Sequence, residues 1–152
     1  HETRQWSDGP VALSGPIPTG GAVLAAQAMG PDFAYIGTAF IATHEARASD
    51  EYKKAIVEGS SDDIVYSNLF TGVHGNYLAP SIRAAGMDPD NLPEGDLKTM
   101  NFGGGEGAKA KAWKDIWGSG QGIGAITEVT SAAAFVEKLK REYIEARKRL
   151  AL

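Results

Sequence analysis

Two places in this 152-residue chain set a hydroxyl beside a glycine just after a short apolar run: Leu13-Ser14-Gly15 and Tyr35-Ile36-Gly37-Thr38. Glycine lets backbone N–H groups approach an anion closely, and the Ser14 and Thr38 hydroxyls add donors. A helix starting just beyond would add partial positive charge. Such a set can hold a phosphate without any lysine. One glycine of this kind usually serves only a tight turn. Here there are two, one crossover apart.

Other conspicuous clusters carry less. Gly118-Ser119-Gly120-Gln121-Gly122 fits the letters of a dinucleotide fingerprint, but it follows a predicted helix rather than a strand. No acidic residue stands at a strand end about 20 residues on. The segment therefore reads as a loop that passes near a ligand, or as a connector. Gly103-Gly104-Gly105-Glu106-Gly107 is not followed by the Gly-Lys-Ser/Thr of a nucleotide loop. His44-Glu45-Ala46-Arg47-Ala48 lacks the second histidine of a zinc-protease helix, so no metal site is expected. His74, between Gly72 and Asn76, could approach a ligand, but local loop packing is the favoured reading. No Ser/His/Asp arrangement is apparent.

These groups need elements to hold them. His1–Trp6 reads as the end of an amphipathic helix, and Asp8-Gly9-Pro10 as a turn. Val11–Ser14 is expected as a buried strand. Thr19 caps a helix over Gly20–Met29 that buries Ala22, Val23, Ala25, Ala26 and Met29, and Gly30-Pro31-Asp32 stops it. Phe33–Ile36 is a second buried strand. Strand, helix and strand within about thirty residues imply a right-handed crossover with parallel strands.

Further on, Ser49 caps a helix to Glu58, 62–71 is strand-like or irregular, and Tyr77–Ala85 is a short helix. Residues 87–107 lack periodicity and read as an excursion loop. A helix is expected over Lys109–Trp117 and a brief strand at Ala125-Ile126. Thr130 or Ser131 then caps a helix to about Leu150, with Val136, Leu139, Tyr143, Ala146 and Leu150 along its apolar face. Two parallel strands cannot stand alone as a sheet, because both faces and both edges need cover. The elements thus ask for more strands than the chain supplies, and a fragment is expected.

Composition narrows the function classes. With no cysteine, disulfides, thiolate chemistry and iron–sulfur ligation are excluded. That fits a reducing cytoplasm, which is the expected location. A formal charge of −4 disfavours nucleic acid and anionic membrane as partners. No run is long and apolar enough to span a bilayer.

Taken in order, four segments resemble the C-terminal half of the nitronate monooxygenase (2-nitropropane dioxygenase-like) family. They are Val11–Thr43 (VALSGPIPTGGAVLAAQAMGPDFAYIGTAFIAT), Glu51–Gly59 (EYKKAIVEG), Leu69–Leu78 (LFTGVHGNYL) and Trp117–Ile126 (WGSGQGIGAI). The resemblance implies an α/β fold, the C-terminal part of a (β/α)8 TIM-type barrel: strands seven and eight plus the following helices, incomplete as it stands. Residues 1–152 would be one portion of a single FMN-binding domain, with a family-specific excursion within 43–126 and the terminal helix at 130–150.

It further implies that Ser14, Gly15, Gly37 and Thr38 hold the FMN phosphate, with Ser119, Gly120 and Gln121 near the flavin. Pro16 stands where many members have a second glycine, which removes one N–H donor. The family's catalytic histidine lies upstream of the matched region, so no catalytic residue is assigned and the chain alone is expected to lack competent chemistry. The implied activity is FMN-dependent oxidation of alkyl nitronates or nitroalkanes by dioxygen. An FMN-dependent enoyl-thioester reductase and a non-catalytic half-barrel are the alternatives. The partner would be a missing N-terminal half or a second copy.

Overall fold

The computed structural model describes residues 2–95 and 115–151. The chain forms two compact units: His1–Glu58 together with Gly122–Leu152, and Gly59–Gln121.

The first unit is built on a parallel strand pair, β1 (Ala12–Ser14) and β2 (Phe33–Tyr35), joined by helix α1 (Gly20–Ala28). The crossover is thus where the residue pattern places it. Thr19 caps α1 by accepting the Ala22 N–H at 3.2 Å, and Gly30 ends the turn beyond it at φ +108°. The strands, however, are not buried. Alternate residues Ala12, Ser14, Phe33 and Tyr35 are exposed, while Leu13 and Ala34 on the other face are half-buried. An apolar run with no alternation suggested cover on both sides, and only one side has it.

Three further helices complete the unit: α2 (Thr38–Ile41), α3 (Asp50–Glu58) and a last long helix (Ala132–Arg149). The last helix is capped by Ser131, whose hydroxyl accepts the Ala134 N–H at 3.1 Å. It packs along α1 so closely that a Cβ on Gly20 would lie 2.1 Å from the Leu139 carbonyl oxygen and 2.3 Å from the Tyr143 nitrogen. Its buried positions are Phe135 and Ala146. Of the expected face, Ala146 is buried and Leu139 and Tyr143 are half-buried, whereas Val136 and Leu150 are exposed. The α1 face also differs: Gly20, Leu24 and Ala26 are buried, whereas Ala25 and Met29 are exposed.

Polar ties join the long helix to both ends of α1. The Glu142 carboxylate accepts the Gly20 N–H at 2.9 Å, and the Tyr143 hydroxyl bonds Gln27. At the start of the helix, Glu45 accepts the Ala132 N–H through both oxygens at 2.9 and 3.1 Å. Thr43 and Thr130 form a parallel bridge there, and the Phe40 and Phe135 rings meet edge to face at 5.0 Å. The opening residues are a single 3-10 turn, Glu2–Gln5, with nothing buried, rather than the end of an amphipathic helix. Arg4 binds the carbonyls of Gly9 and Gly30 and pairs with Asp32, so this turn is held by charge rather than by an apolar face.

The second unit centres on an antiparallel hairpin, β3 (Ile64–Ser67) and β4 (Gly75–Leu78), followed by α4 (Ala79–Ala84). Tyr77 and Leu78 belong to β4, so the helix expected from Tyr77 starts two residues later, with Pro80 in its first turn. The buried Ser81 hydroxyl donates to the Leu78 carbonyl at 2.7 Å and accepts the Trp117 N–H at 3.0 Å. Of the helix expected over Lys109–Trp117, residues 109–114 lie outside the described residues, as do 96–107 of the expected excursion loop. The strand expected at Ala125-Ile126 is absent: Gln121–Ala125 is a 3-10 turn whose Ile123 carbonyl accepts the Ile126 N–H. The closing helix of the chain, α5, spans Ala132–Arg149. No described helix is long and apolar enough to cross a membrane.

Two predictions follow from the α5 contacts. Gly20→Ala forces a methyl into the α5 backbone and is expected to destabilise by about 1–3 kcal/mol, read as a lower urea midpoint. The Ala132 N–H holds the Glu45 carboxyl below its usual 4.5. For Glu142, burial pushes the carboxyl up, but Lys138 and the Gly20 N–H outweigh it and the net shift is downward. Both groups therefore stabilise the fold fully above about pH 5, and that contribution is lost as pH falls from 4.5 through their folded values, where the unfolded chain binds more protons. Urea midpoints from pH 7 to pH 3.5 should fall, and the fall should be shallower in Glu45→Gln.

Candidate functional site

The strand register decides which loops are neighbours. Ser14 pairs with Tyr35, the last residues of β1 and β2, so the loops opening at Gly15 and Gly37 leave the sheet side by side. Adjacent strands lie about 4.8 Å apart, within the span of one phosphate and its donors. Ser14, Gly15, Gly37 and Thr38 are thereby gathered at the carboxyl end of one sheet. Ser14 and both glycines are exposed and Thr38 is half-buried.

Open space surrounds both glycines: a Cβ at either would meet nothing within 4 Å. Gly15 sits at φ +159°, at the margin of what an L side chain adopts. Gly37 is the N-cap of α2 and offers no side-chain acceptor to its first turn. Neither glycine is required by a close protein contact.

The start of α1 differs. Its first N–H goes to the Glu142 carboxylate and its third to Thr19, so a protein anion already sits at its positive end.

One residue that shapes the loop was not among those singled out. A Cβ on Gly122 would lie 3.1 Å from Pro16 Cα and 3.2 Å from Pro18 Cδ. Gly122 thus underpins the turn after Gly15, where Ile17 is buried and donates its N–H to the Gly15 carbonyl at 2.9 Å. The fully buried Ile123 anchors Gly122 from the next position. The signal was in the Gly118–Gly122 spacing, whose last glycine was read only as part of a loop.

Ser119 and Gly120 belong to the other unit, and Gln121 ends it. Ser119 is buried, donates its N–H to Asn76 O at 3.1 Å, and turns its hydroxyl to the Gly120 carbonyl at 3.4 Å. Its polar groups therefore serve this unit's own structure. Gln121 is exposed. His74 stacks on the Tyr66 ring at 4.8 Å, with both residues exposed, in keeping with local packing. The exposed His44 donates its backbone N–H to Thr130 O. Among the described residues no group of three His, Cys, Asp or Glu is placed to hold a metal.

The family model described as nitronate monooxygenase matches residues 7–142. The chain belongs to the nitronate monooxygenase family. It is 30% identical over 140 residues to a nitronate monooxygenase of Paraburkholderia phytofirmans, covering 88% of this chain and 37% of that protein. Among solved structures it resembles nitroalkane oxidase from Streptomyces ansochromogenes, with a TM-score of 0.67 and 25% identity over 98% of this chain and 43% of that one. FabK from Thermotoga maritima shares the fold at a TM-score of 0.70 and 21% identity, over 99% of this chain and 49% of that one. The chain therefore spans less than half the length of these family barrels, and its fold is a partial α/β barrel.

Gly122→Val should push the Pro16–Pro18 turn away and cost about 1–3 kcal/mol in a urea melt. His74→Ala should cost under about 1 kcal/mol, since an exposed ring stack contributes little; a larger loss would show that His74 supports more than its hairpin.

Proposed function

We propose that this chain provides the FMN-phosphate site of an oxidoreductase that oxidises alkyl nitronates with dioxygen, as strands seven and eight of its barrel. The observation that carries the reading is the pair of open glycine loops, side by side at the carboxyl end of β1 and β2 in a nitronate monooxygenase family chain. In (β/α) barrels that end bears the active site, and a phosphate commonly lies between the last two strand loops.

In this reading backbone N–H groups at Gly15 and Gly37 approach the phosphate, and the Ser14 and Thr38 hydroxyls face it from the two strand ends. Gly122 holds the first loop in place. The family resemblance implies that Ser119, Gly120 and Gln121 would be near the flavin, with Ser119 buried in its own unit. FMN, when bound, would supply the redox centre between nitronate and dioxygen. No residue of the chain is assigned as the catalytic base. The likeness to FabK is one of fold alone, so the nitronate reading is preferred to the enoyl-thioester reductase.

The test is the visible spectrum of the 152-residue chain after excess FMN and removal of free ligand. A retained, perturbed flavin spectrum is expected. Gly37→Val should lose the flavin while keeping its melt, because the added side chain enters open space and the backbone conformation there suits any residue. Thr38→Ala should weaken binding by about 1 kcal/mol, the scale of one hydrogen bond. Unchanged FMN affinity in Gly37→Val would refute the cradle. In the completed barrel, nitronate-dependent oxygen uptake supports the reaction, and nicotinamide oxidation in its place would favour the reductase.

A further inference from the structure

The two glycine loops lead into different helices, and both routes end on α5. On the Gly15 side, α1 lies so close to α5 that a Cβ on Gly20 would meet the Leu139 carbonyl, and Glu142 accepts the Gly20 N–H at 2.9 Å. On the Gly37 side the tie is a series of bonds along the chain. The Phe40 N–H donates to the Gly37 carbonyl at 3.0 Å, and the Thr43 hydroxyl donates to the Phe40 carbonyl at 2.7 Å. Thr43 then bridges Thr130: the Thr130 N–H donates to Ala42 O at 3.3 Å and the His44 N–H to Thr130 O at 2.9 Å. Glu45 closes the series on the Ala132 N–H, at the start of α5.

We infer that Glu45 is a positioning residue for the Gly37–Thr38 side of the cradle: it fastens that loop to the helix that also carries the Gly15 side. This rests on the phosphate reading of the two loops. The first turn of α5 already has its own cap, because the Ser131 hydroxyl accepts the Ala134 N–H. What Glu45 adds is therefore a tie from α5 to the segment that begins at Gly37. A carboxylate suits the place, since the start of an 18-residue helix carries partial positive charge. The backbone part of the tie is an isolated bridge rather than a ladder, so one side chain at its end carries much of the hold. Ala42 and Thr43 are buried and the Phe40 ring meets Phe135 edge to face at 5.0 Å, so a shift at Glu45 is passed along the segment rather than absorbed by solvent.

The test compares the 152-residue chain with three variants by amide exchange and by titration with FMN. Glu45→Ala removes the acceptor. Glu45→Gln keeps a carbonyl oxygen for the Ala132 N–H. Ser131→Ala removes the cap that α5 makes within its own first turn. Glu45→Ala should quicken exchange at Phe40 and His44 and weaken FMN binding, each by about fivefold, the scale of one lost capping bond. Glu45→Gln should restore most of both. Ser131→Ala should quicken exchange at Ala134 and leave Phe40 and the flavin affinity as in the unaltered chain.

Unchanged exchange at Phe40 in Glu45→Ala would overturn the inference. So would equal effects of Glu45→Ala and Ser131→Ala at Phe40, because the cause would then be the general stability of α5. A flavin affinity indifferent to Glu45→Ala would overturn it as well. If the unaltered chain retains no flavin, the phosphate reading falls, while the exchange pattern still decides whether Glu45 holds the Gly37 loop.

Discussion

The first unit depends on one close approach, Gly20 against the backbone of α5. With no side chain at Gly20, the first turn of α1 comes within reach of the Leu139 carbonyl and the Tyr143 nitrogen, and the Glu142 carboxylate can take the Gly20 N–H. That contact sets the distance between the two helices. It leaves Leu24, Ala26 and Ala146 buried and sends Met29 and Leu150 outward. The start of α5 is fixed independently, by Glu45 on the Ala132 N–H and by the Thr43–Thr130 bridge. The long helix is thus pinned at its start and along its length by carboxylates on backbone donors, not by its apolar stripe alone.

The same contact has an electrostatic consequence. Two helices begin just beyond the glycine loops, and a ligand phosphate would be drawn to the positive end of either. At α1 that position is already filled by Glu142, held ionised by Lys138 and the Gly20 N–H. At α2 the cap is Gly37, which brings no acceptor. The start of α1 thus already carries a protein carboxylate, and Gly122 shapes the turn after Gly15 by pressing on Pro16 and Pro18.

The second unit obeys a different logic. Its hairpin is tied to the Trp117–Ser119 segment by backbone bonds from Leu78 to Trp117 and from Ser119 to Asn76, and by the Ser81 hydroxyl between α4 and Trp117. This makes Gly118–Gln121 the end of a fixed element rather than a loose connector. It also explains why Ser119, whose residue type suggests a ligand donor, is instead buried structure.

The residues alone were enough for the crossover unit, its cap at Thr19, the closing helix with its cap at Thr130 or Ser131, the glycine pair at the strand ends and the family. Each of these is local chemistry: a hydroxyl before an apolar period, a glycine after a short apolar run, a string of segments in order. Tertiary structure decided what depends on distant neighbours. Which α1 and α5 residues are buried turned on the Gly20 contact more than 100 positions away, and helical periodicity could not locate it to within one residue. The β4 strand at Gly75–Leu78 escaped notice because part of its pairing, the Tyr77–Gly118 bridge, comes from a segment remote in sequence. The roles of Glu142, Glu45 and Gly122 were invisible for the same reason: a carboxylate on a helix face reads as solvent-exposed until the fold brings another helix's unpaired N–H to it.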